Sequence, residues 1–228
     1  MKTYLILLCL LGGSTAGAQR LEEKSVAWQP GQEIRLDLKY AREIQINTWE
    51  QNELSVRASV SINDDTKNDA WSMTTEATAD EIRVVSDIKP PGGEYPGDCE
   101  GQSYHSDNGR YCSLIIYEIY LPQTAALRVE TLGGNITLRG GQASVYAKSL
   151  SGFVDADWSA RQGATVTMKS VTGEVYTNLN LELDEAAEAA RHRASPVGWE
   201  TEGTVSGGGV PVQLESVSND VYFRGAGP

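Results

Sequence analysis

Between residues 126 and 223 the chain repeats one pattern four times. Ala126–Leu138 aligns with Ser144–Ala156, Thr165–Thr177 and Pro211–Phe223. In each copy an alternating apolar stretch meets a bend, and a second alternating stretch follows. The first apolar positions are Leu127/Val129, Val145/Ala147, Val166/Met168 and Val212/Leu214. Beyond the bend they are Ile136, Val154, Val175 and Val221. Alternation with a period of two on both sides of a fixed bend predicts two short strands, each with one buried face. A third apolar set, Leu132, Leu150, Val171 and Val217, sits at the bend, and the pattern predicts that it joins the same core. Gly134, Gly152, Gly173 and Asn219 follow two residues later. These residue types tolerate positive φ, so a tight turn is expected at one corner of every copy.

A single such unit cannot bury its own apolar face, whereas stacked units can. The first three copies start at 126, 144 and 165, a spacing typical of stacked repeat architectures. The expected fold is therefore all-β, a β-solenoid or β-helix-like stack of short strands. In such a stack Glu130 can pair with Lys148, and Lys169 with Glu215 where those rungs meet. The interval from 165 to 211 is too long for one unit. Trp199–Val205 supplies a degenerate fifth bend, with Gly203 in the glycine column. The surplus, Asp184–Arg193, is Ala-rich with an acid at its start and Arg-His-Arg at its end, which predicts one short inserted helix.

Residues 1–18 read as a signal peptide: Lys2, an apolar run from Tyr4 to Leu11, then Ala16-Gly-Ala18 before Gln19. The run is too short to span a bilayer and no other stretch approaches the necessary length, so no transmembrane segment is expected in the mature chain. Cys9 lies inside the apolar run, which argues against lipidation. The expected product is exported to the periplasm, the cell surface or the medium. Residues 19–228 are expected to form a single all-β domain, with N-terminal strands and a disulfide loop over 19–125 and repeat units over 126–228. Loss of Lys2 takes the formal net charge from −12 to −13, which opposes nucleic acid and anionic membrane surfaces as partners.

Strands are expected over Ile34–Tyr40, Glu43–Thr48, Leu54–Ile62, Ala79–Val85 and Tyr117–Pro122, with a solvated turn over Asn63–Asp69 that lacks the glycine and glutamate of a calcium loop. The mature chain keeps Cys99 and Cys112, separated by a polar loop. In an exported protein these two are expected to form a disulfide; the alternative, a metal site that recruits His105, has too few ligands for structural zinc. No cofactor and no metal are expected.

The stretch Ile44–Val56, the Tyr117–Pro122 strand, the Gly-x-Ile/Val repeats and the ending Gly207–Arg224 together resemble the exported bacterial putative-adhesin family, found in Bacteroidetes-type bacteria. The resemblance covers nearly the whole mature chain and implies a β-solenoid without a transferable catalytic motif. Asn219 in a glycine position, the inserted helix and the cysteine loop depart from the family pattern.

His105 and His192 are the two histidines, neither in a repeat, so histidine-based nucleophilic catalysis has little to build from. Asp155 and Asp157 stand two apart on a strand and face one way, as in polysaccharide-cleaving β-helix enzymes, with Asn135, Glu174 and Tyr176 expected to line the same groove. Two outward acids on so acidic a chain are also simply solvated. The aromatic residues suggest binding instead. Tyr176 and Tyr222 share an outward column, and Tyr146 and Trp158 are expected outward nearby, a surface for an envelope protein or a glycan. Each ring could equally cover apolar surface with its polar tip in water. The expected function is thus a non-enzymatic envelope protein that binds or supports through its wall, with the acidic pair as the enzymatic alternative.

Overall fold

The computed structural model describes residues 19–95, 97–141, 143–183 and 198–226. The expected signal peptide and the expected helix at Asp184–Arg193 lie outside the described residues. Among the described residues eighteen strands are formed. In chain order they are β1 (Arg20–Ala27), β2 (Glu33–Leu38), β3 (Glu43–Trp49), β4 (Glu53–Ile62), β5 (Trp71–Ala77), β6 (Glu81–Ile88), β7 (Gln102–Ser106), β8 (Gly109–Pro122) and β9 (Ala126–Thr131). They continue as β10 (Asn135–Arg139), β11 (Val145–Ser149), β12 (Val154–Trp158), β13 (Ala164–Ser170), β14 (Val175–Thr177), β15 (Glu182–Leu183), β16 (Trp199–Val205), β17 (Val210–Ser216) and β18 (Val221–Gly225).

The protein is all-β, built from two large sheets. The first runs β1-β4-β8-β3-β10-β12-β18-β14 with β7 on β8, and the second runs β15-β16-β13-β17-β11-β9-β2-β6-β5. Each repeat contributes its leading strand to the second sheet and its trailing strand to the first. The shared core lies between them. Residues two apart on a strand share a face, so Leu127/Val129, Val145/Ala147, Val166/Met168 and Val212/Leu214 are all buried, as are Ile136, Val154 and Val221. Each large aliphatic side chain buried this way contributes about 1.5–3 kcal/mol.

Repeat strands pair in parallel with no slip: Val145 faces Leu127 on one side and Val212 on the other. The spatial order is not the chain order. The last repeat, β17–β18, lies between β11–β12 and β13–β14. Glu215 is therefore flanked by Lys148 and Lys169. It binds Lys148 at 3.0 Å, Lys169 turns to Glu200 at 3.5 Å, and Glu130 is held by Arg128 at 2.7 Å. Antiparallel strands occupy three of the four sheet ends, β14 being parallel to β18, so both sheets are mixed. β1 and β4 precede β8, β5 closes the other sheet, and β16 and β15 follow β13. The degenerate bend expected in Trp199–Val205 is absent: this stretch is the uninterrupted strand β16, antiparallel to β13. Gly203 lies within it where a Cβ would meet the Glu182 carbonyl at 2.7 Å. At the β1 end, Lys24 Nζ donates to the Met73 carbonyl at 2.6 Å, and Arg20 reaches the Trp71 carbonyl at 3.3 Å and sits over its ring. Charged side chains thereby occupy acceptors on edge strand β5, a device that discourages pairing with another chain.

The bend corrects two expectations. Leu132 and Leu150 are 44% and 43% exposed, and Val171 and Val217 are half-buried, so this set does not enter the core. The preceding residues, Thr131, Ser149, Ser170 and Ser216, are buried instead. Ser149 Oγ accepts from Gly152 N–H and donates to the Gly134 carbonyl, both at 2.8 Å. Ser216 Oγ accepts from Asn219 N–H at 3.0 Å and donates to Gly152 O at 2.9 Å. Ser170 Oγ accepts from Gly173 N–H at 2.9 Å and donates to Asn219 O at 2.7 Å. Each hydroxyl thus closes its own turn and ties it to the turn one rung away. A Ser/Thr side chain satisfies nearby backbone in this way, which is what permits its burial.

The second correction concerns the glycines. Gly134, Gly152 and Gly173 are absent from the positive-φ residues. Their reason is proximity: a Cβ on Gly134 would lie 2.6 Å from the Ala41 carbonyl, and a Cβ on Gly152 would fall inside the Gly134 carbonyl. Corner backbone stacks directly on corner backbone. Asn219 takes the position between Gly152 and Gly173, where the same ladder of hydroxyls continues through it.

Candidate functional site

The outer face of the first sheet presents its side chains in columns set by register. Asp155 faces Tyr222 across β12–β18, and Tyr222 faces Tyr176 across β18–β14. The Tyr176 and Tyr222 rings stack with centroids 5.2 Å apart and 12° between planes. Tyr176 is 43% exposed. Its hydroxyl donates to Glu174 Oε2 at 2.5 Å, and the Tyr222 hydroxyl donates to Asp220 Oδ2 at 2.9 Å. Hydrogen bonds to these carboxylates push both phenols up, Tyr176 to about 12, with partial desolvation adding to the effect. Both rings are therefore neutral near pH 7. Phe153 packs edge-on against Tyr222 at 6.3 Å, and Arg224 lies 5.8 Å from the Tyr222 centroid.

The four aromatic residues expected on one surface occupy three places. Tyr176 and Tyr222 form the exposed stack. Tyr146 stands on the outer face of the second sheet, across the core, under the Arg128 guanidinium at 4.0 Å. Trp158 is buried, 1% exposed, with Nε1 donating to the Gln162 carbonyl at 3.0 Å. It shares strand parity with Val154 and Ala156, which fixes it inward beside Phe223.

Asp155 and Asp157 share the first sheet's outer face, but two arginines occupy them. Asp155 takes Arg139 at 2.9 Å and Arg224 Nε at 2.9 Å, and Asp157 takes Arg139 at 3.2 Å. The side chain of Asp155 is 7% exposed beneath this pair. A carboxylate whose lone pairs are committed to two guanidinium groups is a poor general base. Of the residues expected to line a groove with it, Asn135 Oδ1 accepts from Phe153 N–H at 3.2 Å and Glu174 holds Tyr176. Cys99 and Cys112 form a disulfide with Cα atoms 5.5 Å apart, so neither is free to ligate metal with His105. Among the described residues no group of three or more His, Cys, Asp and Glu side chains is arranged to hold a metal ion. No helix among them is long and apolar enough to cross a membrane.

A second aromatic pair on this face went unread in the sequence. Trp49 and Tyr120 stack at 5.2 Å and 29°, with Tyr120 40% exposed and Trp49 Nε1 donating to the Glu53 carbonyl at 2.8 Å. The available signal was parity, since Trp49 continues the outward set Gln45 and Asn47. Between this pair and the Tyr176 stack lies a shallow polar depression of about 320 Å³ lined by Glu43, Gln45, Asn47, Thr137 and Arg139.

The architecture has a crystallographic counterpart. A putative cell adhesion protein from Clostridium sporogenes superposes with a TM-score of 0.56 over 91% of this chain and 100% of its own, at 12% identity. At that identity the likeness establishes a shared fold. A putative adhesin from Bacteroides fragilis also aligns, over 92% of this chain and 98% of its own, but with 8% identity and a TM-score of 0.27 it adds nothing to the comparison. No family model matches the sequence, and no curated protein does.

Proposed function

We propose that this chain is an exported, non-enzymatic, adhesin-like protein of the cell envelope that binds a glycan or an envelope protein through the outer face of its first sheet. The observation that carries this reading is the exposed Tyr176–Tyr222 stack, whose hydroxyls are anchored by Glu174 and Asp220. Aromatic rings held rigid on a sheet offer apolar contact at low entropic cost, with polar partners beside them. The Trp49–Tyr120 pair and the polar depression extend the same face, so an elongated ligand would meet apolar ends and a polar centre.

We read the parallel repeat units as coils of a solenoid, residues 1–18 as the export signal, and residues 19–228 as one domain. The disulfide supports an extracytoplasmic location, and the shared fold with a putative cell adhesion protein supports the adhesin-like role. The polysaccharide-cleaving alternative is disfavoured by the arginines that occupy Asp155 and Asp157. The test is a glycan array together with capture from envelope extracts, using the purified chain and its Tyr176→Ala/Tyr222→Ala variant. The expected result is one ligand lost in the variant, whose folding is verified by circular dichroism. Equal binding by both proteins would place the site elsewhere.

A further inference from the structure

The outer face of the second sheet carries a feature that the reading above does not use. Register aligns Val85, Asp37 and Glu130 in one outward column; two residues further on, Leu132 N–H bonds the Lys39 carbonyl and the Lys39 side chain reaches Asp87, so these three stand together in the next column. The second column continues through Leu150, Val217 and Val171, because Leu150 N–H bonds Thr131 O, Val217 N–H bonds Ser149 O and Val171 N–H bonds Ser216 O. Four successive outward rungs are thus aliphatic. The core does not require them, since the hydroxyl ladder beneath already closes each turn. Contiguous exposed apolar surface of this kind marks contact with something else.

The stripe is not flat where it meets the N-terminal rungs. Val85, Leu132 and Leu150 floor a depression of about 430 Å³ whose rim holds Arg35, Lys39 and Arg83. That volume suits a small molecule. Charge decides which kind. The chain as a whole carries −12, yet here one carboxylate, Asp37, serves two guanidinium groups, Arg83 at 2.7 Å and Arg35 at 3.4 Å. Lys39 meets Asp87 at 3.6 Å with both side chains about half-exposed, a weak pairing. The other charged groups lining the depression are already paired: Glu130 with Arg128, and Lys148 with Glu215. Glu33 and Glu81 stand in the next outward column, on the side of the arginines away from Lys39.

We infer that this depression binds a small amphipathic anion, an apolar chain ending in a single carboxylate, sulfate or phosphate. The apolar part lies over Leu132 and Leu150, and the charged end meets Arg35, Arg83 and Lys39. An anionic bilayer is a poor occupant, because the depression admits one molecule and the chain's net charge repels the surface around it.

The test is calorimetric titration of the protein with sodium dodecanoate kept below its micelle concentration. Saturable binding to one site is expected, weakened about tenfold or more by Leu150→Asp and by Lys39→Glu, each of which alters an exposed side chain. Leu21→Asp, at a 63% exposed position on β1, leaves binding unchanged. Dodecanol and acetate, which each lack one half of the ligand, bind more weakly than dodecanoate. The Tyr176→Ala/Tyr222→Ala variant also retains dodecanoate binding, so failure of the glycan or protein site and failure of this one are separable. The inference is overturned by no saturable dodecanoate binding, by binding indifferent to both Leu150→Asp and Lys39→Glu, or by sedimentation with phosphatidylglycerol vesicles without binding of the monomeric amphiphile. Self-association of the protein that Leu150→Asp abolishes would also overturn it, by assigning the stripe to a second copy of the chain.

Discussion

Replacing Ser149 by alanine tests the hydroxyl ladder at its centre. The side chain is fully buried, and its Oγ makes two hydrogen bonds of 2.8 Å, one from Gly152 N–H and one to the Gly134 carbonyl. Alanine removes the oxygen and leaves a buried donor and a buried acceptor without that partner, each at a cost of about 1–3 kcal/mol. Since the two groups sit on stacked corners with no space for a side chain between them, water has little room to replace the hydroxyl. A loss of roughly 2–4 kcal/mol is expected on this reasoning. The neighbouring change, Leu150→Ala, removes more atoms but from a position 43% exposed, and is expected to cost less than about 1 kcal/mol, against about 2–5 kcal/mol for a core leucine. Urea unfolding followed by circular dichroism, with the disulfide intact, measures both. If Leu150→Ala proves the costlier of the two, the phase of the chain at the bend is opposite to that described and the ladder argument fails.

Other consequences can be checked in the same assay. Gly152→Val should be among the most damaging single changes, with a loss of about 3 kcal/mol or more, because even a Cβ overlaps the Gly134 carbonyl; a variant as stable as the parent would show that the corners do not stack as closely as this. Reducing the Cys99–Cys112 disulfide, whose sequence separation is 13, should lower stability by roughly 3 kcal/mol in the chain-entropy model, read as a lower urea midpoint with reductant than without. Burial raises the Tyr117 phenol from its usual 10 to about 12, although its bonds to Ser86 and Trp71 oppose the shift. The unfolded chain therefore releases this proton first: stability from this group is complete below pH 10 and falls as pH rises from 10 to 12. Melting temperatures measured from pH 9 to pH 12 should decline, and less steeply in Tyr117→Phe; identical slopes would remove Tyr117 from the explanation.

The strands of the repeats could be read in the chain because their signal is local. Alternation alone placed Leu127, Val145, Val166 and Val212 inward, together with Ile136, Val154 and Val221, and the same parity put Tyr176 and Tyr222 in one outward column. Cys99 and Cys112 were legible through their number and the expected compartment. Parity fails at a bend, and there hydrophobicity misled: Leu132 and Leu150 looked like core, whereas Thr131 and Ser149 are the buried members, since a hydroxyl that satisfies two backbone groups is cheaper to bury than those groups are to leave unpaired. For the glycines the location was legible and the cause was not, because only stacking reveals that a neighbouring carbonyl occupies the place of a Cβ. Trp158 was misplaced although its phase relative to Ala156 was available in the sequence. Three features were decided by tertiary structure alone: the insertion of β17–β18 between earlier repeats, the meeting of Trp49 with Tyr120, and the arginine pair over Asp155. Each joins segments whose separation along the chain carries no information about their distance in space, and a strand's own residues dictate which face is buried while the neighbours it pairs with are selected by the packing of the whole.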